Sequence, residues 1–389
     1  MKLALTFFDI PNLSGGGGAE RFFYDFFVDY TKYSSAKNRM IMITDCTENI
    51  KRSGREIVET NLISVLNYRY FNYRIFNFLN RRNTFFLGNL VNAIKVNRII
   101  RRNKIDKLII PFYNPREFYF YRILNFLGVN MDYFIVDCRI PENYHLNAAP
   151  YWFRDCYERF FKSIKFDTIH TWYRSVERFV QEQGIITKFD HIRTYKSRYS
   201  MVAPLYDPAI KKKTLIFAAR MDEQKDPLFF LEAIRLLHSR NALNDIKILM
   251  YGEGPLLNEV KNFIAKHQLH MIHLSVSGNL ERIFSESRIF VSTQKYENFP
   301  SLAITEAMSK GNIIIAKNVG QTELLVKDGE NGFLCQENDP GSLADCILKA
   351  IELNDDKLDK MARKSVALMR EEHTLEKFIL QFDEFVRRE

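Results

Sequence analysis

Cysteine is scarce in these 389 residues. It occurs five times, at Cys46, Cys138, Cys156, Cys335 and Cys346, an odd number with no Cys-x-x-Cys pair. That argues against a disulfide framework and fits reduced thiols, mostly buried as small apolar side chains, in a cytosolic-type compartment. Long apolar runs are also missing: none reaches the roughly 18 uncharged residues of a membrane span. The opening stretch from Met1 to Asp9 is too short and too soon interrupted for a secretory leader, and reads as a buried first strand. Neither a nucleophile elbow nor a P-loop is present. The chain is therefore expected to be cytoplasmic, either free or held peripherally on the cytosolic face of a membrane.

What is present is ordinary for a globular protein. Apolar residues make up 46% and charged residues 26%, which excludes wholesale disorder and a collagen-like or low-complexity chain. The length predicts two or three domains. Lys and Arg number 56 against 47 Asp and Glu, a formal charge of +9. Such a charge favours anionic partners: nucleotides, phosphates, acidic lipids or nucleic acid.

Strand and helix signals alternate along the chain. Lys2 to Phe8, Arg39 to Thr44, Asp106 to Pro111, Tyr133 to Asp137 and Thr168 to Thr171 read as strands, with a helix from Ala19 to about Tyr30. The stretch Ala203-Pro204-Leu205-Tyr206-Asp207-Pro208, followed by Lys211-Lys212-Lys213, reads as a linker. A second series follows, with strands at Thr214 to Ala219, Ile246 to Tyr251, His270 to Ser275, Ile289 to Ser292 and Ile313 to Ala316. Helices are expected at Pro227 to His238, Leu280 to Ser285, Ser301 to Ser309, Pro340 to Leu353, Asp356 to Met369 and Thr374 to Arg387. This alternation is the signature of parallel sheets covered by helices, here two doubly wound α/β domains. The predicted boundaries are 1–205, 206–373 and a closing helical segment at 374–389.

One stretch differs in composition. From Asn61 to Ile105 there is no Asp or Glu, while nine basic residues lie between Tyr68 and Lys104, interleaved with Tyr68, Tyr70, Phe71, Tyr73, Phe76, Phe78, Phe85 and Phe86. Such a segment suits contact with an anionic membrane surface. Ordinary amphipathic helices with aromatics packed on a sheet would use the same residues. A nucleic-acid groove ranks below both.

Three segments carry chemistry. Ser14-Gly15-Gly16-Gly17-Gly18-Ala19-Glu20-Arg21 joins a strand to a helix, and its glycines would let backbone N–H groups approach a phosphate or sugar. As a dinucleotide fingerprint it fails, because the third glycine would fall on Glu20 or Arg21. Phe217 to Pro227 places Arg220 at a strand's C-terminal end and Lys225 just before a helix. Two cations there can hold a diphosphate and stabilise its charge as it leaves. Tyr296 to Gly311 sets a loop carboxylate, Glu297, before a short helix that contains Glu306. The N–H groups around Pro300 to Ala303 suit a phosphate, while Glu306 could accept from ribose hydroxyls and Glu297 from a sugar. His267, His270 and His273 form His-x-x-His-x-x-His without neighbouring carboxylates. A zinc site needs three or four converging ligands, so no metal is expected there. The absence of an Asp-x-Asp pair likewise gives no metal-bridged diphosphate.

Together these segments resemble the family-4 retaining glycosyltransferases of GT-B fold, within the glycosyl transferases group 1. The match runs through Ala219-Arg220 with Lys225, Gly252-Glu253-Gly254-Pro255, Glu297 to Glu306, Gly320-Gln321-Thr322-Glu323 and Asp328-Gly329-Glu330-Asn331-Gly332-Phe333. It is strong from Thr214 to Cys335 and weak before that. The resemblance implies two Rossmann-like domains facing a central cleft, with the closing helix crossing back to the first. It implies a hexosyl-type transfer, retaining and metal-independent, from a UDP- or GDP-sugar to a glycan, glycolipid or glycoprotein hydroxyl, with no cofactor. By position, Arg220, Lys225 and Glu297 would be catalytic. The donor would also meet Gly16, Gly17, Gly18, Gly254, Asn298, Phe299, Pro300, Ser301, Leu302 and Glu306.

Asp137 and Arg139, in Asp137-Cys138-Arg139-Ile140-Pro141, stand near the acceptor-side position where many relatives carry a histidine. Three other positions depart from the family pattern. Eight residues separate Glu297 from Glu306, one more than usual, so counting back reaches Asn298, although Tyr-Glu-Asn-Phe-Pro matches around Glu297. Ala219 stands where a glycine usually precedes the arginine, and Asp226 where one follows the lysine. Two other readings stay open: an NAD-dependent or other nucleotide-sugar-modifying Rossmann enzyme, and a non-catalytic membrane-binding α/β protein.

Overall fold

The computed structural model describes residues 1–7, 18–34, 39–44, 62–64, 84–111, 117–136, 158–184, 186, 188–195, 203–243, 245–276, 278–296, 299, 301–336 and 338–387. The chain divides into two compact units: Met1–Lys196 with Phe378–Glu389, and Ser197–Lys377.

In the first unit the order is β1 (Lys2–Phe7), α1 (Gly18–Tyr33), β2 (Arg39–Thr44), β3 (Leu62–Ser64), α2 (Thr84–Asn103), β4 (Lys107–Ile110), α3 (Phe118–Phe126), β5 (Met131–Ile135), β6 (Phe166–Thr171), α4 (Arg174–Gln183) and β7 (Phe189–Thr194). These strands form a seven-stranded sheet in the order β3-β2-β1-β4-β5-β6-β7, and every pairing is parallel. β4 and β5 are buried at every position, as expected of central strands covered on both faces. α4 ends at Gly184, whose left-handed backbone closes the helix.

The second unit contains β8 (Lys212–Ala218), α5 (Pro227–Ser239), β9 (Lys247–Tyr251), α6 (Leu257–Lys266), β10 (Ile272–Ser275), α7 (Leu280–Glu286), β11 (Ser287–Ser292), α8 (Leu302–Ser309), β12 (Ile313–Lys317), β13 (Gly332–Cys335), α9 (Pro340–Ile351) and α10 (Asp355–Glu372). Its sheet is six-stranded, in the order β10-β9-β8-β11-β12-β13. One core cluster is mainly aliphatic, including Leu215, Ile234, Ile248, Ile289, Val291, Ile315, Leu343 and Ile347, with Phe217 stacked on Phe230. Helix starts follow local rules. Pro227 and Pro340 open α5 and α9, where a missing N–H costs nothing. Asn354 caps α10 by accepting from Lys357 N at 3.0 Å.

The last helix, α11 (Leu375–Arg387), carries its apolar face into the first unit's core. Phe378 packs edge-on against Phe22 and Phe26, with ring centroids 4.8 and 5.4 Å apart. Asp383, also buried, accepts from the Tyr30 hydroxyl and, at 2.8 Å, from Ser34 Oγ. Deeper in the same core Lys107 Nζ lies 3.3 Å from Asp132 Oδ1, and Asp132 Oδ2 lies 3.0 Å from His170 Nε2. His170 Nδ1 in turn is 2.9 Å from the Tyr195 hydroxyl. Burial first, then the Asp132 charge, pushes the Tyr195 phenol well above its ordinary pKa.

The two doubly wound sheets are the architecture expected from the alternating pattern. Three strands were not legible. β3 is only three residues long. β7 reads FDHIRT and is half-exposed, without an apolar run. β13 starts inside the Asn331-Gly332 turn. His270 precedes β10 rather than belonging to it.

Candidate functional site

In the second unit β8 pairs with both β9 and β11. The chain leaves β8 toward β9 on one flank and later returns to β11 on the other, so β8 and β11 flank the point where strand order reverses. Ligands of open α/β sheets bind outside the C-terminal strand ends at such a point. The segments leaving those ends are Ala219–Asp226 after β8, Gly252–Gly254 after β9, Thr293–Lys295 after β11 and Asn318 after β12.

These segments are stitched together through their backbones. Ala219 N donates to Tyr251 O (3.1 Å), Met221 N to Glu253 O (2.8 Å) and Leu256 N to Met221 O (2.9 Å). Gly252 has φ 142°, and a Cβ there would lie 1.9 Å from Ala219 O. Gly254 has φ 151°, and its Cβ would lie 2.5 Å from Met221 O. The Gly-Glu-Gly-Pro motif therefore has a packing reason: two backbones run too close for a side chain.

On that frame Arg220 projects with 64% of its side chain exposed, its Nε donating to Asp222 Oδ2. Lys225 is half-buried, and its Nζ donates to Gln294 Oε1 at 3.2 Å. The main chain of Lys225 is held from both sides. Its N–H reaches Asp222 Oδ1 at 3.0 Å, and its carbonyl accepts from Thr293 Oγ1 at 2.8 Å. Lys295 N adds a bond to Gln224 O at 2.9 Å. The β8 and β11 loops thus act as one piece, with two cations and a buried glutamine at the switch point.

Asp226, which follows Lys225, has a left-handed backbone at φ 49°. That conformation explains why glycine suits the position; Asp and Asn are the side chains that tolerate it best. Asp226 is also the N-cap of α5, yet its side chain makes no capping bond. Its Oδ2 is paired instead with Lys317 Nζ at 2.8 Å.

Across the unit's sheet end, Ser301 is the N-cap of α8, without a side-chain cap, and is buried. Leu302 and Glu306 are half-buried on α8. Phe299 is buried in a core cluster with Ile216, Ile304 and Ala307, so any ligand contact from it would come from its main chain. Gly18 is the first residue of α1 in the other unit. Gly16, Gly17, Asp137, Arg139, Glu297, Asn298 and Pro300 lie outside the described residues. So does 68–83 of the basic aromatic stretch.

Sequence reasoning missed Thr293, Gln294, Lys317 and the pairing of Asp226. The signal was available: polar residues directly after the apolar runs of β11 and β12 sit at strand C-termini. The three histidines do not converge. His267 caps α6 and packs on Phe263 with ring centroids 4.4 Å apart, while His270 and His273 are exposed. Among the described residues no three His, Cys, Asp or Glu side chains cluster as metal ligands.

A separate cavity of about 370 Å³ lies near the opposite, N-terminal strand ends, lined by residues that include Tyr206, Lys211, Arg288, Asp355 and Asp359. Lys211 Nζ donates to Phe284 O (2.9 Å) and Ser287 O (2.6 Å). Burial, with smaller repulsion from Lys310 and Arg288, pushes its pKa down to about 7.

Residues 207–366 match the family model described as glycosyl transferases group 1. Among curated proteins, the chain is 30% identical over 161 residues to UDP-Gal:alpha-D-GlcNAc-diphosphoundecaprenol alpha-1,3-galactosyltransferase of Escherichia coli, covering 40% of this chain and 41% of that one. It is 24% identical over 156 residues to GalNAc-alpha-(1->4)-GalNAc-alpha-(1->3)-diNAcBac-PP-undecaprenol alpha-1,4-N-acetyl-D-galactosaminyltransferase of Campylobacter jejuni, covering 40% of this chain and 43% of that one. The alignments thus span about two fifths of the curated relatives' lengths. Among solved structures, a glycosyltransferase from Rickettsia africae aligns over 100% of this chain and 99% of its own, at 15% identity and TM-score 0.70. Anabaena HepE in complex with UDP and glucose aligns over 99% of both chains, at 16% identity and TM-score 0.68. The fold is that of the GT-B glycosyltransferases, and the segment 207–366, which carries Arg220 and Lys225, is similar to the glycosyl transferases group 1 family.

Proposed function

We propose that this protein is a glycosyltransferase that moves a sugar from a nucleotide-diphosphate sugar to a hydroxyl of a glycan or lipid-linked acceptor. The observation that carries the reading is the pair Arg220 and Lys225 on one braced loop at the switch point, beside buried Gln294. Cations fixed there stabilise the diphosphate as its charge grows, without reorganising during the reaction. Arg220 offers a planar fork for phosphate oxygens, and Lys225 a point charge.

The finer reading is a family-4 enzyme working with retention and without a metal. The bond between the anomeric carbon and the diphosphate oxygen breaks, and the acceptor oxygen bonds to that carbon on the same face. The acceptor proton passes to the leaving phosphate oxygen, so no enzyme nucleophile is required. Glu306 accepts from the ribose and Glu297 orients the sugar, with Asn298 the alternative at that position. We infer a UDP donor before GDP: the Escherichia coli relative is named for UDP-Gal, and HepE was solved with UDP. The named lipid-diphosphate acceptors of two relatives support a polyprenyl-diphosphate-linked glycan as acceptor.

Such an acceptor suits a peripheral position on the cytosolic face of a membrane. No described helix is long and apolar enough to cross one. On α2, exposed Val91 and Ile94 share a helical stripe with exposed Lys95, Arg98, Arg101 and Arg102, the composition of a surface-lying basic helix.

The test is turnover: release of nucleoside diphosphate from UDP- and GDP-sugars in the presence of polyprenyl-diphosphate-linked glycans, with and without a chelator. One UDP-sugar should turn over, and Arg220→Ala should lose at least about 100-fold in kcat while staying folded. Near-normal turnover by that variant would remove Arg220 from its role. NAD binding without nucleotide-sugar turnover would favour a dehydrogenase instead.

A further inference from the structure

We propose that Lys317 is a positioning residue of the donor site: it neutralises Asp226 and thereby holds the left-handed turn that presents Lys225 to the diphosphate. The proposal rests on the donor-site reading above and extends it to a residue that the family motifs do not contain.

Lys317 ends β12, and its side chain is only 2% exposed. An ammonium so buried is costly unless paired. Here it has two partners: Asp226 Oδ2 at 2.8 Å, and the face of Phe229, whose ring centroid lies 3.6 Å from Nζ. Both partners come from the stretch that begins with Lys225. Asp226 immediately follows it, and Phe229 lies in the first turn of α5.

The turn is otherwise unfavourable. Asp226 holds φ 49° and forgoes the capping bond that an N-cap aspartate ordinarily makes to its helix. A carboxylate there also lies one residue from a cation meant for an anionic ligand. Arg220 pairs with Asp222, and Lys317 with Asp226. Without Lys317 the uncompensated charge is the Asp226 carboxylate, one residue from Lys225. Glycine would avoid both the strain and the charge. The lysine–aspartate pair is this chain's alternative, with the lysine supplied by the neighbouring strand end.

The test measures UDP and GDP binding to the full chain by calorimetry for wild type, Lys317→Met and the double variant Lys317→Met/Asp226→Asn, with melting temperatures alongside. Asparagine keeps the left-handed turn and removes the charge. Lys317→Met should weaken binding on the order of tenfold, as expected for an unscreened charge close to a diphosphate. The double variant should recover to within about threefold of wild type. A merely structural lysine would lower both melting temperatures and leave the folded protein's affinity unchanged. Wild-type affinity in Lys317→Met, or no recovery in the double variant, overturns the proposal alone. No nucleotide binding by wild type overturns the donor-site reading and the proposal with it.

Discussion

The two units share one topology but bury different things. The first fills its interior with rings: Phe22, Phe23, Phe134, Trp172, Tyr195 and Phe378 pack with centroids between 4.6 and 6.3 Å apart. It also threads Lys107, Asp132, His170 and Tyr195 through that interior as a polar chain. The second keeps a mainly aliphatic core, with few ring pairs, and gathers charged groups at the strand ends, on Arg220, Lys225, Asp226 and Lys317. The difference separates charge enclosed within a core from charge gathered at strand ends. In the first unit the polar groups are fully enclosed and satisfy one another. In the second, Arg220 projects from a strand end with 64% of its side chain exposed, while Lys317 and Asp226 form a largely buried pair.

The largest effect should follow from breaking the first unit's polar chain. Asp132→Ala leaves His170 without its carboxylate inside an aromatic core, and takes from Lys107 the nearer of its two carboxylates, Asp167 at 3.5 Å being the other. Removing one member of such a buried pair costs about 3–5 kcal/mol. Both tryptophans, Trp152 and Trp172, lie in Met1–Lys196, so tryptophan fluorescence in a denaturant titration reports that unit. Its midpoint should fall sharply while nucleotide binding at the second unit persists. An unchanged midpoint would deny the polar chain its structural role.

Gly252→Ala is the converse break. At φ 142°, with a Cβ 1.9 Å from Ala219 O, the side chain must displace the Arg220 loop. The strain is about 1–3 kcal/mol, and nucleotide binding should be lost while the tryptophan midpoint stays put. Binding retained at wild-type strength would mean the loop tolerates separation.

An effect spread over several pH units sharpens the comparison within the second unit, at the opposite strand ends. Lys211 has a folded pKa of about 7 against 10.5 when unfolded. Between those values the unfolded chain holds more protons, so stability rises with pH, by at most about 1.4 kcal/mol per pH unit. Lys211→Met should flatten the stability profile between pH 7 and 10 relative to wild type. Parallel profiles would contradict the assignment.

How much of this was legible in the sequence follows the same division. The frame of the second unit's candidate site could be read because its constraints are local. Gly252 and Gly254 mark a close backbone approach, Pro227 marks a helix start, and Arg220 ends an apolar strand. The partners that complete it were not legible. Thr293, Gln294 and Lys317 reach the Arg220 loop only because β11 lies beside β8 and β12 beside β11, and no spacing along the chain encodes that order. Asp226 stood out as a departure from a glycine position, and its explanation needed a residue 91 positions away. In the first unit Asp132 falls just before the expected strand Tyr133 to Asp137 and His170 inside the expected strand Thr168 to Thr171, so nothing marked them as a pair 38 residues apart. Composition located the basic stretch at 68–104, of which α2 is the part described.

The most direct measurement titrates UDP and GDP into wild type and Arg220→Ala/Lys225→Ala by calorimetry, without added metal. The account predicts saturable binding of one nucleoside diphosphate by wild type, reduced at least about 100-fold in the double variant, with an unchanged tryptophan unfolding midpoint. Equal binding by both proteins, or binding by neither, would contradict it.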